Sequence, residues 1–137
     1  MARFAILALA LTVAACKPAA APTLDPAADP IARQFYEEVR GGGDLDADPH
    51  LAHELKNPTT YDQIAQFRAL IPAEPPQSVE LRSADVSDDS VGTTTRIAEV
   101  YHYADRDLLA QTALFKSPSG VEPVIVGFQV TPVQGGG

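Results

Sequence analysis

The stretch Gln77–Ser117, QSVELRSADVSDDSVGTTTRIAEVYHYADRDLLAQTALFKS, decides the fold. It holds no proline, whereas Pro72, Pro75 and Pro76 crowd the residues just before it. Along it β-branched and aromatic residues alternate with polar ones, the period of strands with one face buried. Four strands are predicted, at about Val79–Ser87, Thr93–Tyr103, Leu108–Lys116 and Glu122–Thr131. Asp88-Asp89-Ser90, Ala104-Asp105-Arg106 and Ser117-Pro118-Ser119-Gly120 are short turn-like links, so the strands form an antiparallel meander. In the last strand Val124, Val126, Phe128 and Val130 share a face at period two, and Pro123 near its start suits a sheet edge.

Upstream the pattern changes to helix. Asp29-Pro30 is a helix opening, with Asp as N-cap and Pro at the first helical position. Ile31, Phe35 and Val39, with Tyr36 beside them, make one apolar stripe that Gly41-Gly42-Gly43 ends. A shorter helix is expected after Asp48-Pro49, where Leu51 and Leu55 are four apart, with Asn57-Pro58 stopping it. Thr60 and Gln63 form a capping-box pattern for a third helix with Tyr61, Ile64, Phe67 and Ile71 on its buried side. The class is therefore α+β, with N-terminal helices packed on a four-stranded antiparallel meander over residues 30–133. Its expected core includes Ile31, Phe35, Val39, Ile64, Phe67, Val126 and Phe128. Residues 134–137 are a polar tail.

Helices followed by such a meander resemble the cystatin-like and nuclear transport factor 2-like architecture. The segments ARQFYEEVR (Ala32–Arg40) and GFQV (Gly127–Val130) resemble the first helix and last strand of small exported bacterial lipoproteins with such domains. That resemblance implies a folded part of uncharacterised activity.

The first residues read as an address. Arg3 gives a positive start, and Phe4–Val13 is a ten-residue apolar run, about half of what a ~30 Å hydrocarbon core requires, as in a signal peptide. Val13-Ala14-Ala15-Cys16 resembles the bacterial lipobox. The resemblance implies cleavage after Ala15, acylation of Cys16 and anchorage in the bacterial cell envelope. Lys17, standing where an Asp favours inner-membrane retention, points to the outer membrane facing the periplasm. An ordinary secretory cleavage at the same bond is the alternative, but the chain's one cysteine stands where the lipobox needs it. Residues 16–29, with prolines at 18, 22 and 26, read as a lipidated end and spacer, whose thirteen residues from Lys17 reach up to about 40 Å.

Composition excludes several classes. The 137 residues carry 10 Lys and Arg against 18 Asp and Glu, a net charge of −8, which argues against nucleic acid as a partner. One cysteine allows no internal disulfide and no Cys-rich metal site. No cofactor is expected. Asp44, Asp46 and Asp48 alternate like the start of an EF-hand, but Pro49 stands where a Gly is needed and Leu55 where a bidentate Glu is needed. His50 and His53, near Asp46, are candidate metal ligands set against the plainer reading of a solvated acidic helix start. No phosphate loop, Gly-x-Ser-x-Gly elbow or His-Glu-x-x-His motif occurs.

In the second strand Ile97, Glu99, Tyr101 and Tyr103 point one way, and Ala98, Val100 and His102 the other. On an inward face Glu99 is a candidate general acid or base with Tyr101 and Tyr103 beside it, as in ketosteroid isomerase-like or polyketide cyclase-like enzymes. The favoured expectation is plainer: Glu99 pairs with Arg82 or Arg96 or sits at the sheet edge. The resulting functional expectation is a noncatalytic module that binds an envelope protein or a small ligand, with the cone-fold enzyme as the alternative. Intact-mass measurement on membrane-fraction protein should find acyl additions on a chain lacking Met1–Ala15. An unmodified soluble product would refute the lipobox reading.

Overall fold

A computed structural model describes residues 24–134; the lipobox, the signal peptide, the first part of the spacer and the last three tail residues lie outside them. The order of elements is α1 (Ala28–Gly41), α2 (Pro58–Leu70), β1 (Ser78–Asp88), β2 (Thr93–His102), β3 (Asp107–Lys116) and β4 (Val124–Pro132). The four strands form one antiparallel sheet in sequence order. This is an α+β meander with two helices where three were expected.

The helix α1 starts before Asp29-Pro30. The Asp25 carboxylate accepts the Ala27 N–H at 2.9 Å, the Asp25 carbonyl accepts that of Ala28 at 3.0 Å, and Asp29 falls in the first turn. Leu24, Ala27 and Ala28 pack against the core, so the end of the stretch expected as spacer belongs to the folded unit. At the other end Gly42 takes the left-handed conformation (φ 72°), and Gly42 and Gly43 donate to the Val39 and Glu38 carbonyls. That is the closing motif for which the glycine triplet is suited.

Asn57-Pro58 opens a helix instead of stopping one. The Asn57 side chain accepts the Thr60 N–H at 2.9 Å and Pro58 occupies the first turn of α2, so the capping pattern lies three residues earlier than Thr60–Gln63 suggests. Between the helices, the segment after Asp48-Pro49 forms no α-helix. Single 3-10 turns at Leu45–Ala47 and His53–Leu55 flank an extended piece whose backbone pairs with β4, through Ala52 N–H to Ile125 carbonyl (2.9 Å) and Ile125 N–H to His50 carbonyl (2.6 Å). Leu51 is buried by that pairing.

The core lies between the helices and one face of the sheet. Ile31, Phe35, Tyr36 and Val39 of α1 meet Ile97 and Tyr101 of β2, Leu108, Ala110 and Leu114 of β3, and Ile125 and Val130 of β4. Phe128 is half-buried, edge-on to Phe35 and Phe67 with ring centres 4.9 and 5.9 Å away. Arg68 of α2 donates from Nε to the Val39 carbonyl at 2.7 Å and so ties α2 to the end of α1.

Val126 departs from its expected place. Leu114 pairs with Ile125 and Ala113 with Gly127, which leaves Val126 as the extra residue of a bulge. The bulge shifts the inward face, so Ile125 and Val130 are buried while Val126 is 40% exposed. In urea unfolding Ile125→Ala should cost about 2 to 5 kcal/mol and Val126→Ala less than about 1 kcal/mol. The reverse order would put the bulge elsewhere.

Candidate functional site

The residues singled out in the second strand all face the helices. Glu99 pairs in register with Leu81 and Ala110, at the middle of the sheet and under α1. It is 2% exposed. Its partner is neither Arg82 nor Arg96 but Arg33, one turn into α1, whose Nε stands 2.7 Å from Glu99 Oε2. Arg33 also reaches Asp29, i to i+4 on the same helix, at 3.3 Å. The contact is an ion pair without an aligned hydrogen bond, since Glu99 Oε2 has none among the described residues.

Burial pushes the Glu99 carboxyl up, the adjacent Asp29 carboxylate adds to it, and the Arg33 charge opposes both; the balance lies at about 7. Tyr101 stacks on Tyr36 with ring centres 3.5 Å apart, and the Tyr36 and Tyr103 hydroxyls are 2.7 Å apart. Burial raises the Tyr36 and Tyr101 phenols well above their ordinary value. The Tyr101 hydroxyl has no partner among the described residues.

Glu99, Tyr101 and Tyr103 are thus brought together, with a proton held on Glu99 near neutrality as a general acid needs. What they lack is an opening. Cavities of about 350, 190 and 270 Å³ lie among the described residues, and none of these is lined by Glu99, Tyr101 or Tyr103. The cavity of 350 Å³ lies on the opposite, helix-free face of the sheet. Register places Asp85, Arg96, Ala113 and Gly127 in one row across that face and Ser83, Ala98, Gln111 and Gln129 in the next. Small residues make the floor, and a carboxylate, a guanidinium and two amides stand over it. Glycine suits this floor, because a Cβ on Gly127 would stand 3.4 Å from that of Ala113.

The candidate metal ligands go separate ways. Asp46 accepts a hydrogen bond from the Tyr61 hydroxyl, His50 Nε2 stands 3.2 Å from Glu122 Oε2, and His53 is exposed. Among the described residues no three His, Cys, Asp or Glu side chains are grouped as a metal ion needs. Nor is any helix among them long and apolar enough to cross a membrane.

Two carboxyl features were missed by sequence reasoning. One is the Arg33 bridge between Asp29 and Glu99, of which only the i, i+4 half is visible as a spacing. The other is Glu38, which faces the buried Asp48: shared hydrogen bonding with that carboxyl, then burial, pushes Glu38 up to about 7. Comparison with known proteins finds no matching family model, no matching curated protein and no matching solved structure.

Glu99 makes a distinct contribution to the pH dependence of stability. Glu99 keeps its proton in the native chain up to about pH 7 and loses it near 4.5 when unfolded, so the native state binds more protons across that window. The contribution of Glu99 to stability should be full below about pH 4.5 and be lost as pH rises through 7. Glu99→Gln should match the parent at pH 4 and exceed it at pH 8 by on the order of 2 kcal/mol in urea unfolding. A variant whose stability curve runs parallel to that of the parent would remove Glu99 as the source.

Proposed function

We propose that this chain is a bacterial envelope lipoprotein whose domain is a noncatalytic binding module working through the helix-free face of its sheet. The observation that carries the reading is the placement of the two candidate sites. Glu99 lies beneath α1 with Arg33 against it, whereas the 350 Å³ groove opens on the bare face with Arg96, Gln111 and Gln129 around it. A site must admit its ligand, and concave surface with a few polar groups over a small-residue floor is what binding sites present. The ligand is an envelope protein or a small molecule with polar groups for those side chains.

The order of a long helix and a four-stranded meander supports the cystatin-like or nuclear transport factor 2-like architecture as the finer description of the fold. Anchorage through Cys16, and an outer-membrane location facing the periplasm, rest on the lipobox and on Lys17. Two or more acyl chains would hold the domain stably, because each buried methylene adds about 0.8 kcal/mol. One observation favours the enzyme reading, with Glu99 as general acid or base: its carboxyl holds a proton up to about 7.

Ligand screening by thermal shift on the full chain, repeated on Arg96→Ala and Glu99→Gln, separates the two. A small molecule or a co-purifying envelope protein whose binding is weakened at least tenfold by Arg96→Ala and left unchanged by Glu99→Gln supports the module. Loss of small-molecule binding confined to Glu99→Gln would replace it with the enzyme.

A further inference from the structure

The two edges of the sheet are treated differently. The β4 edge is occupied near its start by the Leu51–Ala52 segment, which takes the Ile125 N–H and carbonyl. No segment among the described residues pairs with the outer edge of β1, the first strand in the sheet order. That strand is eleven residues long, and only Val79 and Val86 are even half-buried, because α1 and α2 pack on β2, β3 and β4. Leu81, on the helix side of the sheet, is 42% exposed. A long uncovered edge is a template for another strand; β1 has no proline or lysine, while its bulge and the charges of Glu80, Arg82, Asp85 and Asp88 admit only a strand that matches them.

The charges on β1 suggest which strand. Arg82 and Asp85 make no ion pair among the described residues. Take two copies of SVELRSADVSD antiparallel about an axis through Ala84. Ser83 of each then stands opposite Asp85 of the other with the bulge residue Arg82 beside it, and Leu81 stands opposite Val86. Leu81 and Val86 both belong to the helix side, since Leu81 pairs with Glu99 and Val86 with Thr95, two inward residues. The bulge between Leu81 and Ser83 is what makes this parity work. Without it an odd and an even position would face opposite sides of the sheet. Sliding two residues one way sets Glu80 against Asp85, and sliding the other way sets Leu81 against Asp88; both are worse.

We infer that β1 pairs antiparallel with β1 of a second copy of this chain, making a two-fold dimer with a continuous eight-stranded sheet. Such an interface is self-complementary, as a two-fold contact requires. Each copy contributes backbone hydrogen bonds, an Arg82–Asp85 ion pair and an apolar contact that covers Leu81. This inference does not rest on the proposed ligand groove, and either can fail without the other.

Sedimentation equilibrium of the full chain in a density-matched detergent tests it, with circular dichroism as the check on folding. The wild type should be dimeric at about 100 µM. Arg82→Asp and Asp85→Arg, each placing like charges beside one another twice, should weaken the dimer at least tenfold. The double variant should recover to within about threefold of wild type, and an equimolar mixture of the two single variants should form the heterodimer that neither forms alone. A wild-type chain that stays monomeric at about 100 µM overturns the inference, including the case in which a foreign strand takes the edge. So does a dimer indifferent to both charge reversals, which would mean pairing through a shared micelle or another surface.

Discussion

The stripe that α1 lays across the central strands turns a meander into a domain. A four-stranded antiparallel sheet has two faces to satisfy and is marginal without a layer over one of them. Ile31, Phe35, Tyr36 and Val39 supply that layer over β2 and β3, and Ile64 with the half-buried Phe67 extends it toward β4. Coverage stops there. The same placement that buries Glu99 under Arg33 therefore leaves β1 overhanging and the far face of the sheet without a helix over it among the described residues. The closed site and the open surfaces are consequences of one helix position.

Glu99 is the costly element in this arrangement. A carboxylate at the centre of a sheet loses its hydration, and a single guanidinium at 2.7 Å offsets only part of that loss. The retained proton is the result. Tyr101 and Tyr36, stacked face to face beside it, fill the space a substrate would need. Chemistry and access are separated here: the group with an acid's proton affinity is buried, and the open face carries Arg96, Gln111 and Gln129.

Much of this was legible in the residues. The absence of proline from Gln77 to Ser117 and the period-two alternation locate all four strands to within about two residues, because a half-buried strand leaves that trace in any context. The stripe of α1 and its glycine stop are equally local. The features that were not legible depend on contacts between distant segments. Asn57-Pro58 suits both the end of one helix and the start of another, and Leu51 pairing with β4 decides between them. Val126 looks inward by period two until the bulge reverses the parity, and a bulge has no clear mark in a run of valines and isoleucines. The alternation grouped Glu99 with Tyr101 and Tyr103 on one face, but neither the inward direction of that face nor the partner of Glu99 was visible. Arg82 and Arg96 are nearer in sequence, and only the way α1 crosses the sheet brings Arg33 above it.

The way the chain enters the domain has a mechanical meaning. Lys116 Nζ holds Asp25 Oδ2 at 3.3 Å, and Lys116 pairs with Thr93, next to the turn that Asp89 and Gly92 close. The point of entry is thus at one end of the strands, not on a face or along a side. An anchor upstream of Asp25 would hold the sheet by its end, like a blade in a handle. Force applied there falls first on the Lys116–Asp25 ion pair and on the packing of α1, not on the ladder between strands. The β1 edge and the flat of the blade lie away from that point of attachment.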